Sequence, residues 1–364
     1  MNVLFVASEV GSVRAIYPIM QLCKKNNISF SYIKIGYFKV IGNNNRNVYS
    51  VQNYQDNEQL IKSLVEKKIT TVVFSVNIKD NRPLQIARAA KIARITTIHI
   101  LDYWNGYLAR MRLDCKKTFH PNYYVVPDEI AKVAAIKEGL PSEIIKVYGQ
   151  PAFSDAIEDY KLNRAVLRDN LLISNGLSLA GKLILFVSEP VKMDFGLSKS
   201  NNEYYKGYTE HDVVPLVQKN LSLFSNIETC VLPHPRENVG KLIGLWSLKG
   251  LYKSWVVIPN IRGRELLPFV DGVIGMASTL LYEAWLVGVP VLSIQPGLVQ
   301  DNLRMLQNRD GVEFVDKAED SDRVINEWLS NISVKKPLSV DKGTINARSV
   351  LHNKSIELIL SLIN

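Results

Sequence analysis

The chain has 364 residues, 47% hydrophobic and 22% charged, with a formal net charge of +9. That length suits two α/β domains with separate cores, and the composition is ordinary for a globular protein. No apolar run reaches the roughly 18 residues that span a bilayer. Cys23, Cys115 and Cys230 have no metal-type spacing, and nothing like a secretion leader precedes the first strand, so a reducing cytoplasm is expected. The positive charge calls for an anionic partner. Basic residues are dispersed in pairs such as Lys24-Lys25, Lys67-Lys68 and Lys116-Lys117, with no helix-turn-helix, zinc-finger or RNP-like pattern. The expectation is therefore a basic cleft for a phosphorylated ligand and no nucleic acid. A weak peripheral contact with the inner face of a membrane stays open.

Periodicity predicts alternating strands and helices through the first half. Strands are expected at Asn2–Ala7, Ile28–Ile35, Thr70–Ser75, Thr96–Leu101, Tyr123–Val126 and Ile144–Val147. Helices are expected at Val13–Lys25, Glu58–Glu66, Pro83–Ile92 and Glu129–Glu138. Repeated βα units imply a mostly parallel, doubly wound sheet. Gly149-Gln150-Pro151 interrupts the pattern and a polar helix is expected over Asp155–Asp169, which places a first domain at 1–150, a second at 151–342 and a closing helix at 343–364. The second half restarts with strand Lys182–Ser188. A long loop runs from Glu189 to Tyr208, and its part Lys192–Tyr208 reads equally as a lid or as disorder. Helix Asp212–Ser225, strands Glu228–Leu232 and Trp255–Ile258, and helices Asn302–Leu306, Ser321–Ser330 and Thr344–Ile363 complete the pattern.

The most informative stretch is Val270 to Pro296. Val273–Met276 reads as a buried strand, Ser278 and Thr279 stand where an N-cap belongs, Leu280–Val287 is helical, and Pro290–Ile294 returns as a second strand. The helix start, with its free N–H groups and dipole, suits a phosphate; an ordinary capped helix is the equal alternative. Just after a predicted strand stands His234-Pro235-Arg236-Glu237-Asn238. The carboxyl ends of parallel strands line the ligand crevice, so His234 and Arg236 are expected to donate there, with prolines holding His234 in one orientation.

In the first half two carboxylates follow strands: Glu9, and Asp102 in Asp102-Tyr103-Trp104-Asn105-Gly106-Tyr107. Either could take a proton from a hydroxyl, and Tyr103, Trp104 and Tyr107 could stack on a sugar. A turn cap and a core plug are the competing readings. His99, His120, His211 and His352 lack metal-site spacing, and Asp320-Ser321-Asp322 reads as a helix cap, so no metal is expected.

Gly149-Gln150-Pro151, His234 to Asn238, and Ser278 to Pro290 with Glu283 and Gly288 together resemble GT-B glycosyltransferases and the related UDP-N-acetylglucosamine 2-epimerases. The resemblance implies two Rossmann-like doubly wound domains facing across a cleft, with an acceptor domain first and a donor domain second. It implies a metal-independent, inverting transferase without cofactor. Such an enzyme would move a sugar from a nucleotide-activated donor to a glycan, lipid-linked or protein acceptor in surface polysaccharide or glycoconjugate synthesis. The His-Pro pair implies a CMP-activated acidic sugar ahead of a UDP-sugar. Donor contacts map to His234, Pro235, Arg236, Ser278, Thr279 and Glu283, the last to the ribose. Asp102 or Glu9 would be the base, and Ser12, Tyr103, Trp104 and Tyr107 would bind the acceptor. A 2-epimerase-like enzyme and a non-catalytic sugar-nucleotide-binding protein are the alternatives. The opening Ala7-Ser8-Glu9-Val10-Gly11-Ser12 departs from the epimerase pattern, and the two-acids-then-glycine motif of CMP-sialic acid transferases is missing.

Overall fold

Short runs of branched and aromatic residues become strands, and the segments between them return the chain as helices. A computed structural model describes all residues except 42–46, 52, 55, 79, 114–116, 155–159, 161–163, 179, 201, 203, 248–251, 301–303, 308, 335–341 and 364. The chain divides into two compact units, Met1–Asp155 with Ser349–Asn364, and Ala156–Arg348. No helix among the described residues is long and apolar enough to cross a membrane.

The first unit holds β1 (Asn2–Val6), β2 (Ser29–Ile33), β3 (Val48–Tyr49), β4 (Thr71–Phe74), β5 (Thr96–Ile100), β6 (Tyr123–Val126) and β7 (Ile145–Val147). They form a seven-stranded sheet in the order β3-β2-β1-β4-β5-β6-β7, parallel throughout. The order reverses between β1 and β4, so the crevice of this unit opens beyond their carboxyl ends. Helix Val10–Lys25 turns Val13, Ile16, Ile19 and Cys23 onto one face of the sheet. Ile359 and Ile363, from the end of the chain, complete the same core.

Gly149-Gln150-Pro151, expected at the domain junction, lies inside this first unit and receives the returning chain. Gly149 has φ +82, and a Cβ there would stand 2.7 Å from the Leu351 carbonyl oxygen. The Gln150 N–H donates to His352 Nδ1 at 2.9 Å, and its side-chain amide donates to the Leu101 carbonyl at 2.8 Å.

The second unit holds β8 (Lys182–Val187), β9 (Ile227–Leu232), β10 (Trp255–Val257), β11 (Gly272–Gly275), β12 (Val291–Ile294) and β13 (Val312–Val315). Its six strands run parallel in the order β10-β9-β8-β11-β12-β13, with the reversal between β8 and β11. Trp246 is fully buried against Phe186 and Trp255. Helix Val239–Ser247 and β13 escaped the sequence reading. Gly240 and Gly244 mask the helix, and the half-buried edge strand Val-Glu-Phe-Val is too short to declare itself. Of Asn302–Leu306, expected as helix, Arg304 is irregular and Met305 and Leu306 are turn, and residues 302 and 303 lie outside the described set. Of the polar helix expected over 155–169, residues 155–159 and 161–163 also lie outside it; the described helix is Arg164–Ser174.

The first-unit core contains one chemical anomaly. His99, on β5, is 0% exposed, packs its ring between Phe74 and Tyr124, and has a partner for neither ring nitrogen among the described residues. Burial first, and the nearby Arg110 second, hold its pKa well below the ordinary histidine value. Below about pH 6.5 the unfolded chain takes up a proton that the folded chain refuses, so stability falls as pH falls. His99→Phe should therefore stabilise the protein by about 1–2 kcal/mol at neutral pH and flatten the loss between about pH 7 and 5, read by urea denaturation.

Candidate functional site

The polar side chains gather where the sheets reverse. In the first unit Ser12 is fully buried, and its hydroxyl donates to Asp102 Oδ2 at 2.7 Å. Asp102 Oδ1 takes Arg110 at 2.7 Å, a buried ion pair. Arg110 also donates to the Val76 carbonyl at 2.8 Å and to Asn105 O and Oδ1 at 3.0 and 3.1 Å, so four of its five N–H groups are engaged. Asp102 is thus a fixed carboxylate with both oxygens engaged. Glu9 is exposed at the N-cap of helix Val10–Lys25 and makes no side-chain cap.

The aromatic residues beside Asp102 do not form a platform. Trp104 and Tyr107 are each 2% exposed. Trp104 stacks on Phe153 and donates its ring N–H to Asp128 Oδ2 at 2.9 Å. Tyr107 offers its carbonyl to the Tyr124 hydroxyl. Tyr103 alone of the three is half-buried. Asp128, which also caps helix Glu129–Lys137, is a strand-end acid that the sequence reading did not single out.

In the second unit, His234 and Ser278 follow β9 and β11, the two neighbours of β8. The His234 N–H donates to Glu237 Oε2 at 2.6 Å, and Glu237 Oε1 accepts from the Ser188 hydroxyl at 2.7 Å. His234 Nδ1 accepts from the Arg236 N–H at 3.2 Å, which puts the ring proton on Nε2 and makes that nitrogen the outward donor. Burial, reinforced by Arg236, lowers the His234 pKa, so the neutral imidazole is the donor. Burial also raises the pKa of Glu237.

Two expected contacts are already engaged. Arg236, although 54% exposed, gives both arms of its guanidinium to Asp194 at 2.6 Å each. Glu283 Oε2 accepts from Arg264 Nε at 2.7 Å, while its Oε1 makes no further hydrogen bond among the described residues. Ser278 caps helix Thr279–Leu286 by accepting the Leu280 N–H at 3.2 Å, with Thr279 as its first residue, and Pro235 is exposed. The lid or disordered loop of the sequence reading carries a helix, Val191–Phe195, pinned by the Lys192 N–H to Glu210. Among the described residues, no three of His, Cys, Asp and Glu are grouped to hold a metal.

No protein-family profile and no curated protein sequence matches this chain. Solved structures do. The UDP-GlcNAc 2-epimerase of Methanocaldococcus jannaschii matches with a TM-score of 0.64 at 15% identity, covering 100% of this chain and 99% of that one. That of Neisseria meningitidis, bound to UDP-GlcNAc, gives 0.64 at 14% with the same coverage. Anabaena Alr3699/HepE in complex with UDP-glucose gives 0.63 at 16%, covering 99% of each. The fold is of the GT-B type. Its two Rossmann-like units are those the sequence motifs implied, and the CMP-sugar branch of the resemblance finds no counterpart among these structures.

Arg110 and Asp102 depend on one another within this GT-B-type fold. Arg110→Met leaves a buried carboxylate uncompensated and should destabilise the protein by about 3–5 kcal/mol in urea unfolding, against about 1 kcal/mol for Ser12→Ala.

Proposed function

We propose that the chain is an enzyme acting on UDP-activated sugars, with the nucleotide bound by the second unit and 2-epimerisation as its reaction. The observation that carries this reading is the set of groups that follow β9 and β11, the two neighbours of β8: a histidine N–H donor, a hydroxyl-capped helix start and, on that helix, a glutamate with one oxygen to spare. They supply a phosphate ligand, an anion-favouring dipole and an acceptor for ribose hydroxyls. The likeness to structures holding UDP-GlcNAc, UDP-glucose and UDP supports UDP over CMP as the nucleotide.

Epimerisation is favoured over transfer by the first unit. Trp104 and Tyr107 are enclosed and Asp102 has both oxygens engaged, so an acceptor glycan finds little open surface among the residues expected to bind it. Epimerisation of a single nucleotide-sugar needs a base that takes the C2 hydrogen while UDP leaves by elimination, and a proton donor that returns hydrogen to C2 from the opposite face before UDP adds back. Transfer to a separate acceptor is the second reading, since a leaving UDP makes the same demands on the second unit.

The deciding experiment is proton NMR of UDP-GlcNAc with the protein in D2O. Epimerisation replaces the C2 hydrogen by deuterium and produces the 2-epimer. UDP release only on adding a glycan acceptor would make the protein a transferase. Binding without either would make it a sugar-nucleotide-binding protein.

Two variants test the nucleotide site by calorimetry. His234→Ala should weaken UDP binding by about 1.5–3 kcal/mol, the worth of a hydrogen bond to a charged group, with little change in fold stability. Glu283→Gln should weaken UDP more than 2′-deoxy-UDP, because the spare oxygen has a hydroxyl to meet in the ribonucleotide alone.

A further inference from the structure

We propose that Lys206 is a ligand for the diphosphate and that Glu189 is an internal anion standing in the diphosphate's place until the nucleotide-sugar arrives. The inference rests on the nucleotide-sugar reading above and names a residue pair that the sequence motifs do not include.

Glu189 lies two residues beyond the end of β8, at the point where the strand order reverses. Its Oε1 accepts the Ala277 N–H at 2.6 Å, immediately ahead of the Ser278 cap. Its Oε2 faces Lys206 Nζ at 3.5 Å. One side chain therefore holds both an amide at the helix start and the nearest ammonium, the two kinds of donor that a phosphate would recruit.

The surroundings carry further negative charge. Glu237 feels both Glu189 and Glu210, and His234 feels Glu189, Asp194, Lys206 and Arg236. Glu189, Asp194, Glu210 and Glu237 thus face Lys206 and Arg236, and Asp194 already claims Arg236. An incoming diphosphate meets this excess of negative charge unless one carboxylate leaves. Glu189 is the one whose departure also releases an N–H and an ammonium.

Lys206 is under-used in the resting protein. Its residue is 5% exposed, yet its ammonium, with three donors, makes no hydrogen bond among the described residues. It has the ion pair with Glu189 and the face of the Phe195 ring, 4.6 Å from the centroid. Its backbone is fixed. The Lys206 carbonyl accepts the Val299 N–H at 3.0 Å, and a Cβ on Gly207, at φ +99, would stand 2.0 Å from the Gly297 carbonyl oxygen. A lysine anchored in this way keeps its ammonium at the site when its partner swings out.

The test is calorimetric titration of the full chain, its Glu189→Gln and its Lys206→Met variants with inorganic pyrophosphate, UDP and uridine. Glu189→Gln keeps an acceptor for the Ala277 N–H and loses the charge, so pyrophosphate and UDP should bind about five- to tenfold more tightly. Lys206→Met should weaken both by about tenfold or more, with Lys206→Arg restoring part of the loss, and uridine should follow neither trend. Unchanged or weaker pyrophosphate binding by Glu189→Gln overturns the inference, as does pyrophosphate binding too weak to measure in every variant. Deuterium exchange at C2 that persists alongside that result leaves the proposed function standing. Tighter pyrophosphate binding without exchange or transfer removes the enzymatic reading and keeps the diphosphate site.

Discussion

In a sheet whose strands all run parallel, each crossover brings the chain back to the same edge, and every strand releases its next residues at the opposite one. Both sheets of this protein obey that constraint without an antiparallel exception. Strand interiors are buried on both faces and mostly apolar, and the hydroxyls buried inside them at Thr97, Thr229 and Ser293 are hydrogen-bonded, so polar groups free for chemistry gather just past the strands. Ser8 to Ser12, Asp102, Asp128, Ser188, Glu189, His234 and Ser278 all occupy such positions. His99 breaks the rule from inside β5, and its unpartnered ring nitrogens are the physical expression of that breach.

The two crevices solve their electrostatics differently. In the first, one buried arginine neutralises one buried aspartate and gives three more donors to backbone and Asn105, leaving a tightly bonded network. Networks of this kind fix geometry more than they add stability. In the second, carboxylates outnumber the cations they face, and the balance is provisional. A site of that character is poorly matched to itself and better matched to a visiting anion that displaces one of its members.

Much of this was legible in the residues. Short apolar runs closed by glycine or a hydroxyl gave the strands and the capped helix Thr279–Leu286, because these depend on neighbours in sequence. The strand-end positions of His234, Asp102 and Glu9 followed from the same reading. Partnerships across many residues did not. That Arg236 is held by Asp194, 42 residues away, and Glu283 by Arg264, 19 away, depends on tertiary packing that no local pattern encodes. Trp104 and Tyr107 show the same limit, since an aromatic beside a strand-end acid is equally suited to the core or to a ligand until Phe153 and Tyr124 close over it. Glu189 was within reach: it follows β8 as Asp102 follows β5, but its predicted loop drew attention away from it.

The return of the chain to Gln150 bears on the order of events during synthesis. The first unit is translated first, yet Ile359 and Ile363 belong to its core and His352 satisfies the Gln150 N–H. The second unit, complete once Arg348 has emerged, can close while its predecessor still lacks a helix. A released chain truncated after Arg348 would therefore resist protease over its later half and be cut over its earlier one, the reverse of the usual order in which amino-terminal domains mature first.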